Sequence, residues 1–368
     1  MRKTYQFRIY PTTKQSLRLL HWLNVCRYLY NEMLEGRKNA YDRCGIGLNY
    51  NQQAGQLKYL NLDLYSQVAQ DVLRRLDKTF QNFSRRVKNG DKKVGYPRFQ
   101  GKNRYDSFTY PQSGFKILDD GKLKLSKIGA IRIFIHREIE GKVKTCTIKR
   151  DGDQWYASFS AELPDTNPKE IKTSVGVDVG ITTLATLSDG TVIGNPKTLD
   201  KYDSKLRKVQ KDISRKKKGS SNRNKQKTVL KGVYRKVRNV RKDYLHKASR
   251  ILADTYDRIV FEDLQIKNMV KNHHLARSIH DASWNMLINF TTYKAEYAGC
   301  VVELVNPRNT SKQCSVCGCI QSMPLSQRTY RCPDCGAVMD RDHNAAINIL
   351  NKHVGTDCVE LTPVESLA

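Results

Sequence analysis

The hydrophobic positions of this chain change period from segment to segment, and each change predicts a change of architecture. Residues 4–9 alternate, with Tyr5, Phe7 and Ile9 on one side of a short strand and Thr4, Gln6 and Arg8 on the other. Pro11 and Thr12-Thr13 then supply a turn and a helix start. Leu17, Leu20, Leu23, Leu34 and nearby aromatics make a helical stripe to about residue 40. Val72, Leu76, Phe80, Phe83 and Val87 step by four, four, three and four, which predicts one face of a second helix over about 66–88. Residues 90–104 read as a glycine-rich, basic link. From about 106 to 163 the period is two. Leu123, Leu125, Ile131, Ile133 and Ile135 alternate there, and Cys146, Ile148, Tyr156, Ser158 and Ser160 continue in short runs around turn signals such as Asp151-Gly152-Asp153. This is an antiparallel β region, expected to form a small barrel that the strand at 4–9 joins.

Past a linker at 164–168 the order becomes α/β. Strands are expected at 174–179, 183–188 and 191–193, long helices over about 200–256, a strand at 258–262, a helix over about 283–298 and a strand at 300–305. Leu230, Val233, Val237, Val240 and Tyr244 step three, four, three, four, which gives the long helices one packed face. The stretch from Arg215 to Ser221 breaks them into a hairpin. After Asn351 the chain is polar and mildly acidic.

The 368 residues suffice for two or three domains, each with its own core. Charge narrows the class of partner. There are 65 Lys and Arg against 36 Asp and Glu, a net charge of +29. Residues 201–250 alone hold 20 Lys and Arg against three Asp. Such an excess repels itself unless a polyanion relieves it, and nucleic acid is the natural partner. An anionic membrane fits less well, because no basic segment carries the apolar face of a membrane helix. The opening MRKTYQFRIY is not a signal peptide, and no stretch approaches ~18 apolar residues. A cytoplasmic protein with no membrane partner is expected. The cysteine usage agrees: four of ten fall in two CxxC pairs and the rest are scattered, which suits a reducing compartment with one metal site.

Those pairs are Cys314-x-x-Cys317 and Cys332-x-x-Cys335, separated by 14 residues. Each brings two thiolates onto one knuckle, and two knuckles complete a tetrahedron for one zinc ion. Gly318 and Gly336 supply the residue that a tight knuckle turn favours. Four sulfur ligands leave no open position, so the zinc would be structural. Disulfides are the alternative use of the same residues.

Three acids share one local grammar. Asp178 lies in the strand-like run Val175 to Gly180, Glu262 ends the apolar run Ile259-Val260-Phe261, and Asp342 opens a small-residue helix through Asn348. Strand, strand, helix start is the order in which an RNase H-like nuclease presents its metal-binding carboxylates. Two magnesium ions need oxygen ligands and together can activate a water and stabilise a leaving oxygen. Each acid also has a plainer reading. Asp178 could be an edge-strand residue bonded to backbone amides, Glu262 a strand end at solvent, and Asp342 a helix N-cap. Asp340 and Asp263 are neighbours that spacing does not separate from the functional pair. His273, His274 and His343 could be ligands, and read first as nucleic-acid contacts or surface residues. No GxGxxG, P-loop, nucleophile elbow or HExxH is present.

At this point the motifs, in order, resemble one family. FRIYPTTKQ with VCRYLYNEML, GYPRF (Gly95 to Phe99), GVDVGITTLA, FEDL, NTSKQCSVCG, and YRCPDCG followed by DRDHNAAINIL are similar to TnpB, the RNA-guided nuclease of bacterial insertion sequences and relative of the type V CRISPR effectors. The match covers nearly the whole chain. The resemblance implies a multidomain α+β and α/β protein. Residues 1–10 would be the first strand of a wedge β-barrel, 11–95 a helical recognition region, and 96–168 the rest of the barrel. Residues 169–310 would be a RuvC-like nuclease domain carrying a basic helical hairpin at 200–256. A zinc ribbon at 311–338, a RuvC C-terminal helix at 339–352 and a mobile tail at 353–368 would follow.

The resemblance implies Asp178, Glu262 and Asp342 as catalytic, magnesium-holding acids, and its motif selects Asp342 over Asp340. It implies a guide RNA from the transposon end, a double-stranded DNA target, and a short transposon-adjacent motif read by the protein, with Tyr50, Gln70 and Thr109 as candidate readers. Arg215, Lys216, Lys217, Lys218, Arg235, Arg238 and Arg241 would lie along RNA or heteroduplex phosphates, with base pairing supplying specificity. A monomeric protein on RNA is expected. Two other functions share these features: an RNA-guided DNA-binding repressor without cleavage, and a transposase accessory that binds nucleic acid without a guide.

Overall fold

Alternation at the N-terminus builds β1 (Arg2–Tyr10), and Thr12 then starts a helix. The Thr12 hydroxyl accepts from Gln15 N–H, while the Gln15 side chain accepts from the Thr12 backbone N–H. This reciprocal cap satisfies two donors that the first helical turn would otherwise leave unpaired. The helix it opens, α1 (Thr13–Cys44), runs until Gly45 adopts φ 66, a left-handed stop that glycine takes without strain. There follow α2 (Tyr50–Gln56), α3 (Ser66–Lys88), β2 (Ser107–Tyr110), β3 (Phe115–Ile117), β4 (Lys122–Leu125), β5 (Gly129–Phe134), β6 (Lys142–Asp151) and β7 (Gln154–Glu162). The computed structural model describes residues 1–354 other than 103 and 325. It divides into two compact units, Met1–Asp165 and Thr166 onward. The tail expected at 353–368 lies, from residue 355 on, outside the described residues.

In the first unit one seven-stranded sheet has the order β2-β6-β7-β1-β5-β4-β3. Its two edge strands are consecutive in the chain, joined by residues 111–114. Seven flat strands would hold their edges about 29 Å apart, whereas the five steps from Tyr110 to Phe115 span at most about 18 Å. The sheet must therefore curl, and the Tyr110 and Phe115 rings meet across the gap at 6.5 Å. Its concave face and α1 share a core of Tyr5, Phe7, Trp22, Phe108, Tyr110 and Phe159. The curled sheet is the observed form of the expected barrel; the strand order begins at β2 and ends at β3.

Several faces differ from the simple period. Leu17 is 63% exposed, and the buried stripe of α1 runs instead through Leu19, Trp22, Leu23, Cys26, Leu29 and Tyr30. Val87 at the end of α3 is exposed, and Ile135 lies beyond β5 and is exposed too. On β7 the core takes Trp155, Ala157, Phe159 and Ala161, the opposite set to Tyr156, Ser158 and Ser160.

The second unit begins with β8 (Ser174–Val179), β9 (Thr183–Leu187) and β10 (Val192–Gly194). It continues with α4 (Thr198–Lys201), α5 (Asp203–Ser214), α6 (Ser221–Thr255), β11 (Arg258–Glu262), α7 (Ile266–Met269), α8 (His273–Ala282), α9 (Trp284–Ala298) and β12 (Val301–Val305). A small ribbon, β13 (Thr329–Arg331) with β14 (Val338–Asp340), precedes α10 (Arg341–Val354). The five-stranded sheet has the order β10-β9-β8-β11-β12. Within it, β8 and β12 flank β11 in parallel, and β9 returns antiparallel to β8. Parallel strands are covered on their faces, and α10 lies directly on β8. A side chain at Gly176 would collide with the Ala346 carbonyl oxygen and the Leu350 amide of α10, so only glycine permits this approach.

The helix α8 was not expected from the sequence. Asn272 caps it by accepting from His274 N–H, and Asp281 near its end is buried. That carboxylate accepts from the Leu199 N–H at 2.9 Å and from Arg241 Nη2 at 2.6 Å, which ties α4 and α6 to α8. Among the described residues no helix is long and apolar enough to cross a membrane.

Candidate active site

Asp178 sits in β8 between buried Val177 and Val179, paired across the hairpin with Thr186. The neighbouring parallel strand β11 aligns Phe261 with Val177, so Glu262 is carried to the next position along. Onto β8 packs α10, whose second residue is Asp342. The two strand acids and the helix-start acid therefore approach one end of β8, and the charges of Glu262 and Asp342 register on Asp178. Burial pushes the Asp178 carboxyl well above its ordinary value, and the Glu262 and Asp342 charges push it further. Burial also raises Glu262 and Asp342. Glu262 is buried and the other two are half-buried, and like charges so placed disfavour ionisation unless a cation offsets them.

Each acid has its own support. Glu262 accepts a buried hydrogen bond from the Thr310 hydroxyl, which opposes the upward push of burial. Asp342 faces the Arg328 guanidinium at 3.5 Å. Arg328 also donates to the Thr182 hydroxyl in the β8–β9 turn at 3.2 Å. Asp340 and Asp342 differ in hydrogen bonding: Asp340 Oδ1 accepts from the N–H groups of Asp342 and His343 at 2.9 and 3.0 Å. Asp340 is thus the cap of α10, and the Asp342 carboxylate is released from that task. Asp263 is exposed. His343 reaches the Ser188 carbonyl oxygen at 3.1 Å, while His273 and His274 lie exposed at the start of α8.

The four cysteines form a second centre. Their sulfur atoms all lie within 4.8 Å of one another, the one group of three or more His, Cys, Asp or Glu so placed among the described residues. Cys314 and Cys335 Sγ are 3.6 Å apart, and Cys317 and Cys332 Sγ 3.5 Å. A tetrahedron with metal–sulfur bonds of ~2.3 Å has sulfur–sulfur edges of about 3.8 Å, so the donor set fits zinc. Gly318 and Gly336 take φ 79 and 74 as each knuckle turns. Cys26, Cys146 and Cys300 are buried elsewhere.

Two asparagines that sequence reasoning passed over join the centres. Asn344 Nδ2 donates to the Gln313 carbonyl at 2.7 Å, and its Oδ1 accepts from Ser315 N–H at 2.9 Å. One turn on, Asn348 Nδ2 donates to the carbonyls of Thr310 and Gln313 at 2.8 and 2.6 Å. Both are buried in α10. They clamp residues 310–315, which carry both the hydroxyl on Glu262 and the first knuckle cysteine. The i, i+4 spacing of two asparagines around the small and apolar run Ala345-Ala346-Ile347 was the available signal.

The candidate nucleic-acid residues divide. Tyr50 lies under Arg74 at 5.7 Å, and Thr109 accepts from Arg75 at 2.6 Å while sharing a hydrogen bond with Thr147. Gln70 is on α3, one turn before Arg74. Arg215, Lys217 and Lys218 are exposed in the turn between α5 and α6, with Lys216 half-buried. Arg235 is half-buried on α6 and Arg238 exposed. Arg241 departs from the expectation of a phosphate contact: its side chain is 17% exposed and is committed to Asp281. Val240, read as part of the packed face, is exposed.

Comparisons agree with this order of parts. A family described as "Probable transposase" (OrfB_IS605) matches residues 158–273, "Cas12f1-like, TNB domain" matches 284–349, and an OrfB_IS605 "Helix-turn-helix domain" matches 1–45. In this chain the last segment is β1 followed by one unbroken helix of 32 residues, not two helices about a turn. A Streptomyces pristinaespiralis protein named "Putative RNA-guided DNA endonuclease" is 36% identical over 367 residues, 95% of this chain and 89% of its own length. An Escherichia coli K12 protein named "Putative RNA-guided DNA endonuclease InsQ" is 31% identical over 373 residues, 95% of this chain and 91% of its own. A Methanocaldococcus jannaschii "TnpB-like protein" is 35% identical over 201 residues, 50% of this chain and 71% of its own. The solved structure of the mini-RNA-guided endonuclease CRISPR-Cas_phi3 shares the fold at TM-score 0.53 and 11% identity, over 95% of this chain and 92% of that one. With such identity sustained along nearly the whole of two relatives, the chain belongs to the TnpB family of transposon-associated OrfB proteins, relatives of the type V effectors.

Proposed function

We propose that this chain is an RNA-guided DNA endonuclease that cuts beside a short transposon-adjacent motif, with an RNase H-like, RuvC-type centre built from Asp178, Glu262 and Asp342. The observation that supports the reading is their placement: β11 sets Glu262 beside Asp178, and α10, which opens with Asp342, packs on β8; burial first, and then the charges of Glu262 and Asp342, raise the Asp178 carboxyl. Carboxylates so crowded are an oxygen-donor set for two magnesium ions. Held there, the ions would activate a water and stabilise the leaving oxygen of a phosphodiester. The chain's own residues do the positioning. Thr310 orients Glu262, Asp340 caps the helix that presents Asp342, and the Asn344 and Asn348 clamp fixes the segment bearing Thr310. Cys314, Cys317, Cys332 and Cys335 would hold one structural zinc ion in a ribbon beside that segment.

The names of the long relatives, and the basic α5–α6 hairpin, support a guide RNA and a DNA target as partners. The curled sheet of the first unit would serve as the wedge, with α1 to α3 as the recognition region. A monomeric protein on RNA completes the reading. The test is cleavage of a plasmid bearing the guide-matched target, using protein with its co-purifying RNA. Asp178→Ala should abolish cutting and leave guide-dependent DNA binding in place. Undiminished cutting, or loss of RNA from that variant, would remove the acids from the role assigned to them.

A further inference from the structure

The link between α3 and β2 has no regular structure, yet its middle is held rigidly. Pro97 is buried. The Tyr96 ring packs edge-on against Phe80 and Phe83, with centroids 5.6 and 5.4 Å away. Three residues past Pro97, Asn31 clamps Gln100 with two hydrogen bonds: Asn31 Oδ1 accepts from the Gln100 N–H at 2.7 Å, and Asn31 Nδ2 donates to its carbonyl at 3.0 Å. Between these anchors stand Arg98 and Phe99, and Phe99 is 51% exposed. A loop tied down on both sides could have turned this ring inward. It instead forms the side of a cavity of about 400 Å³, with Leu34 at its base and Lys38, Tyr96, Pro97 and Arg98 around it. Tyr96 is itself 41% exposed there. Cavities of this size and mixed lining suit small planar ligands.

The surroundings are cationic on balance. Residues 85–104 carry eight Lys and Arg against Asp91, which is paired with Arg86, while α1 brings Lys38 to the rim and Asp42 near Tyr96. Exposed aromatic faces among cations are the means by which single strands are bound: bases stack on rings and phosphates lie along the cations. A stacked duplex has no free base face to offer. We infer that the cavity between Leu34 and Phe99 receives one unstacked base of a single-stranded nucleic acid, stacked against Phe99, with its flanking phosphates on Lys38 and Arg98. The inference rests on the reading that this chain handles single strands, and it is independent of cleavage.

The experiment uses the full chain freed of co-purifying nucleic acid, in chelator so that nothing is cut. Short single-stranded RNA carrying 5-iodouridine and DNA carrying 5-iododeoxyuridine are photocrosslinked to it, and the modified peptide is mapped. Crosslinks should fall on Phe99 or Tyr96, and the strand that gives them, RNA or DNA, names the source. Affinity is then measured at salt high enough to screen phosphate contacts. Phe99→Ala should weaken single-strand binding about tenfold and leave duplex binding unchanged. Phe99→Trp should restore it, and Phe99→Leu, apolar but not planar, should not. Crosslinks confined to other peptides would overturn the inference. So would a Phe99→Ala affinity equal to wild type, or a loss matched by the duplex. Failure here would leave guided cleavage standing, because that activity is read from Asp178→Ala.

Discussion

Thr310 donates its hydroxyl hydrogen to Glu262, and both residues are buried. Glu262 must be ionised to hold a cation, and burial pushes its carboxyl up while the Thr310 hydroxyl pulls it down. Thr310→Val removes the opposing influence with little change of volume. The carboxyl then rises further, so its ionised form is reached only at higher pH. The acid limb of the cleavage profile should move upward, with a loss of about tenfold at its acid end, and Thr310→Ser should move it back. An unmoved limb in the valine variant would mean that Glu262 does not govern it.

Thr310 also shows where legibility stops. The three acids could be read because each sits in a distinctive run, and the cysteines because their spacing is itself a geometry. The helix Ser66–Lys88 was legible for a similar reason, since its large apolar residues repeat on one face from Val72 to Val87. Thr310, Asn344 and Asn348 act instead across the fold, on a carboxylate 48 residues away and on backbone carbonyls 31 to 38 residues away. No local pattern announces such partners. The helix α8 escaped notice because its inward set is small, and Asp281 is there for its charge rather than its hydrophobicity.

Asp178 carries a stability prediction that does not depend on cleavage. The folded state holds its proton more tightly than the unfolded chain does, because its carboxyl is raised by burial and by two neighbouring acids. Without a cation, stability therefore falls as pH rises from the unfolded value of about 3.9 through the folded one. Asp178→Asn removes that loss. In chelator near neutral pH the variant should melt about 2–4 °C above wild type, equivalent to about 1 kcal/mol for a unit of this size. Added magnesium should then raise the wild-type melting temperature and leave the variant where it was. A variant that melts lower in chelator would contradict the crowding.

Loss of the ribbon metal should be felt at the acids. Cys314 lies inside the segment clamped by Asn344, and Asn344 is two residues from Asp342. Cys314→Ser should empty the site of zinc, measured by elemental analysis. It should also speed amide exchange roughly tenfold in residues 310–315 and in the first turns of α10. Cleavage should fall with it even when magnesium is in excess. Full zinc content in the variant would remove Cys314 from the ligand set, and unchanged exchange in α10 would uncouple the two centres.

The basic hairpin holds both exposed cations and a cation tied into the fold. Arg241 and Asp281 are 2.6 Å apart with side chains 17% and 8% exposed, and Asp281 also caps toward Leu199. Arg241→Ala strands a buried carboxylate, which should cost about 3–5 kcal/mol and loosen α6 from α8. Lys217 and Lys218 are exposed in the turn and bear no such burden. Replacing both with alanine should leave the melting temperature unchanged and weaken RNA binding. It should also reduce the slope of log affinity against log salt by about 1.4, the share of two phosphate contacts on a single strand. Composition counts all three side chains alike, since each is one positive charge on a strongly basic segment. Only the carboxylate opposite Arg241 distinguishes them. If Arg241→Ala unfolded no earlier than the lysine variant while losing as much RNA, the ion pair would be a surface accident and Arg241 would return to the phosphate-binding set.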